Sequence, residues 1–465
     1  MLFRNLFQKQ FQIENGVLVK YTGKPDAAEA VIPDGVTEIG SFAFQKCQSL
    51  RHITMPESVS EIGRYAFSGC SSLKEIIIPG KVRQIQKFAF DGCEQLTSVT
   101  LPDGLRVIGE NAFNNCAELR TIRLPDSLEI IEDGAFEHCR NLTEIVIPAG
   151  VTTLEKSVFY ACQSLKAVTL PERLTAIRSY AFASCRNLSA VSLPAQLTEI
   201  GPNAFSGCEA LTELPIPDSV TSIGSRAFSG CSGLTAAALP PQLHSLEAQL
   251  FFDCTRLTSV QLPDSITSIP AELCSGCKNL TSVIIPNGVT EIGKSAFFGC
   301  RALREITVPI TVRKVCSDSF GWQCPIEIIR LRPDDPAIHR KIRDIEDLGN
   351  QLMQVMNMIR TGYYYPYPVN RIHYPLLALH YLHTHEQALA SFIRQELDSF
   401  MQIFIPAGAL WFPAELAQSG DFFTPENIDG YLETAQQYAQ NEIVMQLLNY
   451  KNKQLGFVVP QIFRL

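Results

Sequence analysis

A proline recurs every 23 residues from Pro33 to Pro309 without a slip. Around each one the chain repeats the same phrase. A short apolar run precedes the proline, and a Val or Leu follows three residues on. Then come Ile-Gly or its equivalent, Ala-Phe, and Cys. A fixed period of this length means a solenoid, in which small identical units stack and bury one continuous core. The period fixes architecture and says little about function. Solenoids present extended surfaces, so binding is expected before catalysis.

One unit, Leu50 to Cys70, shows how the phrase folds. Leu50, Ile53 and Met55 follow a Leu-x-x-Leu-x-Leu spacing. Ile53 and Met55 are two apart and share one side of a strand, so His52 and Thr54 face the other. Pro56 ends the strand because it has no N–H for a ladder. Val59 and Ile62 return to the core, Gly63 turns, and Ala66-Phe67 opens a short helical or 3₁₀ stretch to Cys70.

Two columns of the repeat nearly never vary. Phenylalanine occupies Phe44, Phe67, Phe90, Phe113, Phe136, Phe159, Phe182, Phe205, Phe228, Phe251, Phe297 and Phe320; Cys274 stands where the series would continue. Such copies in one register form a stacked apolar spine, and Leu273 is expected to fill the gap at Cys274. Of 15 cysteines, twelve share one position, from Cys47 to Cys300. Uniform spacing and an odd total favour a ladder of small buried thiols over a disulfide framework. Cys274 and Cys277 form a lone CxxC with no second pair, which does not make a zinc site. The last unit is degenerate, with Cys324 one residue late.

The segment Leu96-Thr-Ser-Val-Thr-Leu-Pro102-Asp-Gly-Leu-Arg-Val-Ile-Gly109-Glu-Asn-Ala-Phe113-Asn-Asn-Cys116 resembles the BspA-type leucine-rich repeat family, over about residues 24–330. The resemblance implies a leucine-rich repeat α/β horseshoe with a parallel β-sheet on its concave face. It also implies kinship with bacterial, often surface-attached, proteins.

The ends need caps. Phe11–Glu14 and Val17–Tyr21 flank Asn15-Gly16, a hairpin turn signal, so residues 1–23 read as an N-terminal β-hairpin cap and 24–330 as a solenoid of about thirteen repeats. Residues 331–465 read as an all-α domain. Ile342, Ile345, Leu348, Leu352, Val355, Met356 and Ile359 keep helical spacing. A Tyr-rich loop follows at 363–368, then one or two helices within Leu376–Phe404. Thr424-Pro425-Glu426 reads as an N-cap with Pro in the first turn, opening a helix to about Tyr438. Asn441 reads as the cap of another. This final pair resembles an ankyrin-type helical hairpin.

A formal charge of -8 at pH 7 argues against a general nucleic-acid binder. No stretch approaches the ~20 apolar residues of a membrane span. Met1 to Gln12 lacks the apolar core of a signal peptide. These readings predict a cytoplasmic chain with reduced thiols; the alternative is a surface or secreted protein exported by a non-standard route.

No Gly-rich phosphate loop and no Gly-x-Ser-x-Gly elbow occurs, so no catalytic residue, cofactor or metal is expected. His380, His383 and His385 beside Glu386 are the sharpest chemical candidate, as metal ligands, or otherwise as a solvated helix end. Partner-binding candidates are the outward strand positions His52, Thr54, Glu75, Ile77, Ser98, Thr100, Thr121, Arg123, Glu144 and Val146, together with Tyr363, Tyr364, Tyr365 and Tyr367. Tyrosines suit interfaces, although this cluster could equally pack between domains. The outward strand face carries no aromatics, which counts against glycan binding there. A non-enzymatic protein-interaction or scaffolding module is the leading reading. The alternatives are a bacterial adhesin for host protein or glycan, and a metal-dependent activity in the helical domain.

Overall fold

The computed structural model describes residues 10–309, 312, 314–316, 319–320, 328–332, 377–378, 387–406, 413–414, 416–417 and 422–455. Backbone packing divides the chain into two compact units, Met1–Leu257 and Thr258–Leu465. Both carry turns of the β-repeat, and the second also carries helices.

The first unit opens with β1 (Phe11–Glu14) and β2 (Val17–Tyr21), an antiparallel hairpin. Its turn is Asn15-Gly16 with φ of 51° and 82°, the left-handed pair that a two-residue hairpin loop demands. Strand β2 then pairs in parallel with Glu38–Ile39. The hairpin therefore seeds a sheet as well as covering the core.

Most turns contribute two short strands, one to each of two separate parallel ladders. In the first ladder, Glu29–Val31, His52–Thr54, Glu75–Ile77 and Ser98–Thr100 form one sheet, and Glu144–Val146, Ala167–Thr169 and Ala190–Val191 another. A second ladder runs through Glu38–Ile39, Glu61–Ile62, Gln84–Ile85, Val107–Ile108 and Ile130–Ile131. The horseshoe reading foresaw the first ladder. The second follows from Val59 and Ile62, whose apolar spacing was legible, although their pairing with neighbouring turns was not.

The stretch expected to be helical or 3₁₀ between Gly63 and Cys70 is a hydrogen-bonded turn. It mixes bonds within the turn, such as Ala66 N–H to Gly63 O (3.3 Å) and Cys70 N–H to Phe67 O (3.1 Å), with bonds to the next turn, such as Phe67 N–H to Ala89 O (2.8 Å). A left-handed residue at Tyr65 (φ 57°) and another at Gly69 (φ 72°) aim alternate amides along the stack. That geometry recurs in each turn, so a continuous helix never forms. In the second left-handed column glycine is cheapest, yet Lys46, Asn115, His138, Ala161 and Ser184 also occupy it.

The core of the first unit is the phenylalanine spine. Rings from Phe44 to Phe251 stack on their neighbours at centroid distances of 5.1 to 5.9 Å. Phe11 and Tyr21 of the hairpin extend it, Tyr21 stacking on Phe44 at 5.2 Å. Beside the spine runs the thiol ladder. Each Sγ donates to the carbonyl of the preceding turn's Phe, as in Cys70 to Phe44 O (3.1 Å) and Cys139 to Phe113 O (3.2 Å). The same carbonyls accept the Cys N–H of their own turn, so both lone pairs are satisfied. A thiol fits where a methyl would leave an acceptor short. No disulfide occurs among the described residues.

In the second unit the ladders continue through Ser282–Ile284 and Glu305–Pro309, and through Ser268–Ile269, Glu291–Ile292 and Lys314–Val315. Leu273 and Cys274 are both fully buried. The final strand, Ile328–Arg332, pairs with Glu305–Pro309 over five residues, with Arg332 opposite Pro309. Both strands of this pair are five residues long, against three or fewer in the earlier turns of this ladder.

Four helices follow among the described residues: α1 (Gln387–Gln395), α2 (Leu397–Phe404), α3 (Ile428–Gln437) and α4 (Asn441–Gln454). Helices α3 and α4 pack together as a hairpin. Their caps differ from the sequence reading. Asn427 precedes α3, and its side chain accepts the Thr424 N–H (2.9 Å), so Thr424-Pro425-Glu426 forms the turn ahead of the helix. Asn441 is the first residue of α4 and Gln440 its cap, without a side-chain capping bond.

Candidate interaction faces

The first ladder of the first unit buries its middle residue and turns the two flanking residues to solvent. Ile53, Ile76, Val99 and Ile145 are buried, while Thr54, Glu75, Ser98, Thr100 and Glu144 are exposed. His52 is half-buried. Strand alternation places these side chains where the sequence put them. Thr121 and Arg123 are exposed around a buried Ile122, although their segment forms no ladder strand.

Two outward columns result. One reads Glu29, His52, Glu75, Ser98, Thr121, Glu144; the other reads Val31, Thr54, Ile77, Thr100, Arg123, Val146. Neighbours in a column lie about 5 Å apart. His52 Nδ1 meets Glu75 Oε1 at 3.2 Å across the ladder. In the second column Ile77 is 67% exposed, Val146 63% and Val31 52%. The acidic column and the apolar column run side by side. Glu29 and Val31 belong to this face and are absent from the sequence candidates, which begin at His52.

A second feature was not read from the sequence at all. Phe42, Tyr65 and Phe88 sit two residues before the spine phenylalanines, in the first left-handed column of the turn, with φ of 65°, 57° and 58°. Their rings stack at 5.0 and 4.7 Å with interplanar angles of 7° and 3°. Phe42 is exposed; Tyr65 and Phe88 are half-buried. Three aromatics at a 23-residue spacing were the available signal, masked by the louder Phe column beside it.

The helical region holds a cavity of about 350 Å³ lined by Asp398, Met401, Gln402, Glu426, Tyr431 and Thr434, among others. The Tyr431 hydroxyl donates to the Asp398 carboxylate, tying α3 to α2. Burial, then that bond, pushes the Tyr431 phenol well above its ordinary value. A phenol held so firmly protonated is no acid or base near neutral pH. No group of three or more metal-ligating side chains occurs among the described residues. His380, His383, His385 and Glu386, and Tyr363, Tyr364, Tyr365 and Tyr367, lie outside the described residues.

Burial holds the thiols from Cys70 to Cys231 protonated, pushing Cys139 and Cys231 up to about 12, so they are poor nucleophiles. Cys47, half-exposed at the first turn, is raised to about 11.

The model of the BspA-type leucine-rich repeat region matches the chain at residues 21–141, 129–217 and 198–327. The chain belongs to the BspA-type leucine-rich repeat family. Proteins of this kind are typically protein-binding modules, generally non-enzymatic and often surface-associated. A leucine-rich repeat protein from Bacteroides ovatus is 28% identical over 70% of this chain and 97% of its own, with a TM-score of 0.56. A leucine-rich cell surface protein from Faecalibacterium prausnitzii is also 28% identical, over 68% of this chain and 90% of its own, at a TM-score of 0.45. A leucine-rich repeat protein from T. pallidum is 33% identical over 39% of this chain and 88% of its own, with a TM-score of 0.37. No functionally curated protein matches. Among the described residues no helix is long and apolar enough to cross a membrane.

Proposed function

We propose that the chain is a non-enzymatic protein-binding module whose partner docks on the outward face of the first ladder, between Glu29 and Val146. One observation carries the reading: Ile77 and Val146, more than half exposed, stand beside Glu75 and Glu144 on rigid strands. Burying such exposed β-branched side chains is favourable at roughly 25 cal/mol per Å², and the flanking carboxylates select a partner by charge. The chemistry fits a segment that alternates basic and apolar side chains. Helices α1 to α4 belong, on this reading, to a separate domain beginning near residue 331. The carbonyl-bonded free thiols support a compartment where cysteines stay reduced.

The test is affinity capture on the full chain against a Glu75→Lys/Ile77→Asp/Glu144→Lys variant. These side chains are exposed, so the variant is expected to fold. Loss of the captured partner supports the reading. The same partner, captured equally by both, contradicts it.

A further inference from the structure

The first left-handed column of the turn is a place where side chains are constrained. In later turns Asn111, Gly134, Ser157 and Asn203 fill it, and so do Tyr180, Arg226, Gln249 and Glu272. Any non-glycine side chain there is strained, since Cβ crowds the following carbonyl. Phe42, Tyr65 and Phe88 nevertheless occupy it in three successive turns. They are not core residues, because the spine phenylalanines two positions later fill the core. Stacking offsets part of that strain, and three rings make two stacked pairs. Three stacked aromatics in succession at the surface, with Phe42 51% exposed, mark a recognition site rather than a packing need.

The chemistry of the stripe selects among ligands. The rings are nearly parallel and stacked face on face, so the stripe presents mostly edges to solvent. A sugar stacks on a ring face, and four of the six faces are taken by stacking within the stripe. Ring edges carry the positive part of the aromatic quadrupole and favour carboxylate and carbonyl oxygens. The residues just before the last two rings are Arg64 and Lys87. Lys87 is paired with Glu110 at 2.5 Å. Arg64 is exposed, has no ion-pair partner among the described residues, and lies close enough for its charge to act on Lys87. A free guanidinium next to ring edges matches a carboxylate beside an apolar side chain.

We propose that Phe42, Tyr65 and Phe88, with Arg64, form a second docking surface, on the turn rather than on the sheet face, for an acidic protein segment. The segment sets an apolar side chain against the ring edges and a carboxylate on Arg64. This surface has the opposite charge preference to the Glu75–Glu144 face, and either can fail without the other.

The test uses the full chain and a displayed library of random dodecapeptides, followed by fluorescence polarisation with synthetic copies of the enriched sequences. Two variants are compared. Phe42→Asn/Tyr65→Asn/Phe88→Asn installs the residue already tolerated at Asn111 and Asn203, and should melt no lower than the parent. Arg64→Glu keeps every ring. The expected result is enrichment of peptides pairing Asp or Glu with an apolar residue, and a loss of affinity of about tenfold or more in each variant. Enrichment of basic peptides, absence of any enriched motif, or unchanged binding by the triple variant overturns the proposal. So does a glycan bound by the parent and lost by the triple variant, or self-association in sedimentation that the triple variant abolishes.

Discussion

The inner and outer sides of the same turn obey different rules. Inside, the Phe and Cys columns repeat almost without change from Cys47 to Cys254, each ring on the next ring and each thiol from Cys70 on bonded to a carbonyl of the preceding turn. Outside, the columns change residue at nearly every step: Glu29, His52, Glu75, Ser98 on the sheet face, and Phe42, Tyr65, Phe88, Asn111 on the turn. Stacking couples each inner residue to two copies of itself, so one departure disturbs both neighbours. Outer residues have no such constraint. The teaching is that the solenoid's identity resides in what repeats, and its recognition in what does not.

The comparison can be broken most forcefully with pH. Buried thiols titrate above the value near 8.5 of an unfolded chain. Their stabilising contribution is therefore complete below about pH 8.5 and is lost as pH rises towards the folded values, about 11 for Cys47 and about 12 for Cys139 and Cys231. In that window each buried thiol removes about 1.4 kcal/mol of stability per pH unit, and several act together. Far-ultraviolet circular dichroism should show a steep alkaline unfolding transition between about pH 9 and 11. A chain that keeps its signal to pH 12 would refute the buried ladder. At neutral pH, a thiol reagent should modify Cys47 well before Cys70 to Cys231.

The next largest effect is on the spine. Phe136→Ala is expected to cost about 3–5 kcal/mol in denaturant unfolding, because the ring is fully buried between Phe113 and Phe159. A smaller effect of opposite sign is expected at Ala161, which sits at φ 57° in the column where Gly69, Gly92 and Gly207 are native. Ala161→Gly should stabilise by about 1 kcal/mol, read as a rise in melting temperature. Smallest of all, Glu75→Lys and Ile77→Asp should change stability by under about 0.5 kcal/mol. A large loss of stability at Ile77 would mean that it packs as a core residue, and the contrast between inner and outer columns would fail there.

The sequence carried the inner side well. Period, strand position, spine and ladder all follow from identical residues at identical spacing, and the outward set His52 to Val146 follows from alternation alone. Two things were hidden. The second ladder needs pairs such as Ile62 with Ile85, and a two-residue strand has no periodicity to display. The aromatic stripe depends on left-handed backbone at Phe42, Tyr65 and Phe88, and such conformations are normally announced by Gly or Asn. Aromatics in that column gave the opposite signal. At α3, the Thr424 cap was read from local preference, whereas the helix begins after Asn427, whose side chain accepts the Thr424 N–H.

The most direct test of the central claim is hydrogen–deuterium exchange on the full chain, with and without a captured partner. The account expects new protection in the first-ladder strands His52–Thr54, Glu75–Ile77 and Glu144–Val146, with the buried turn around Phe136 unchanged. Protection confined to helices α1 to α4, with those strands exchanging as before, would contradict it.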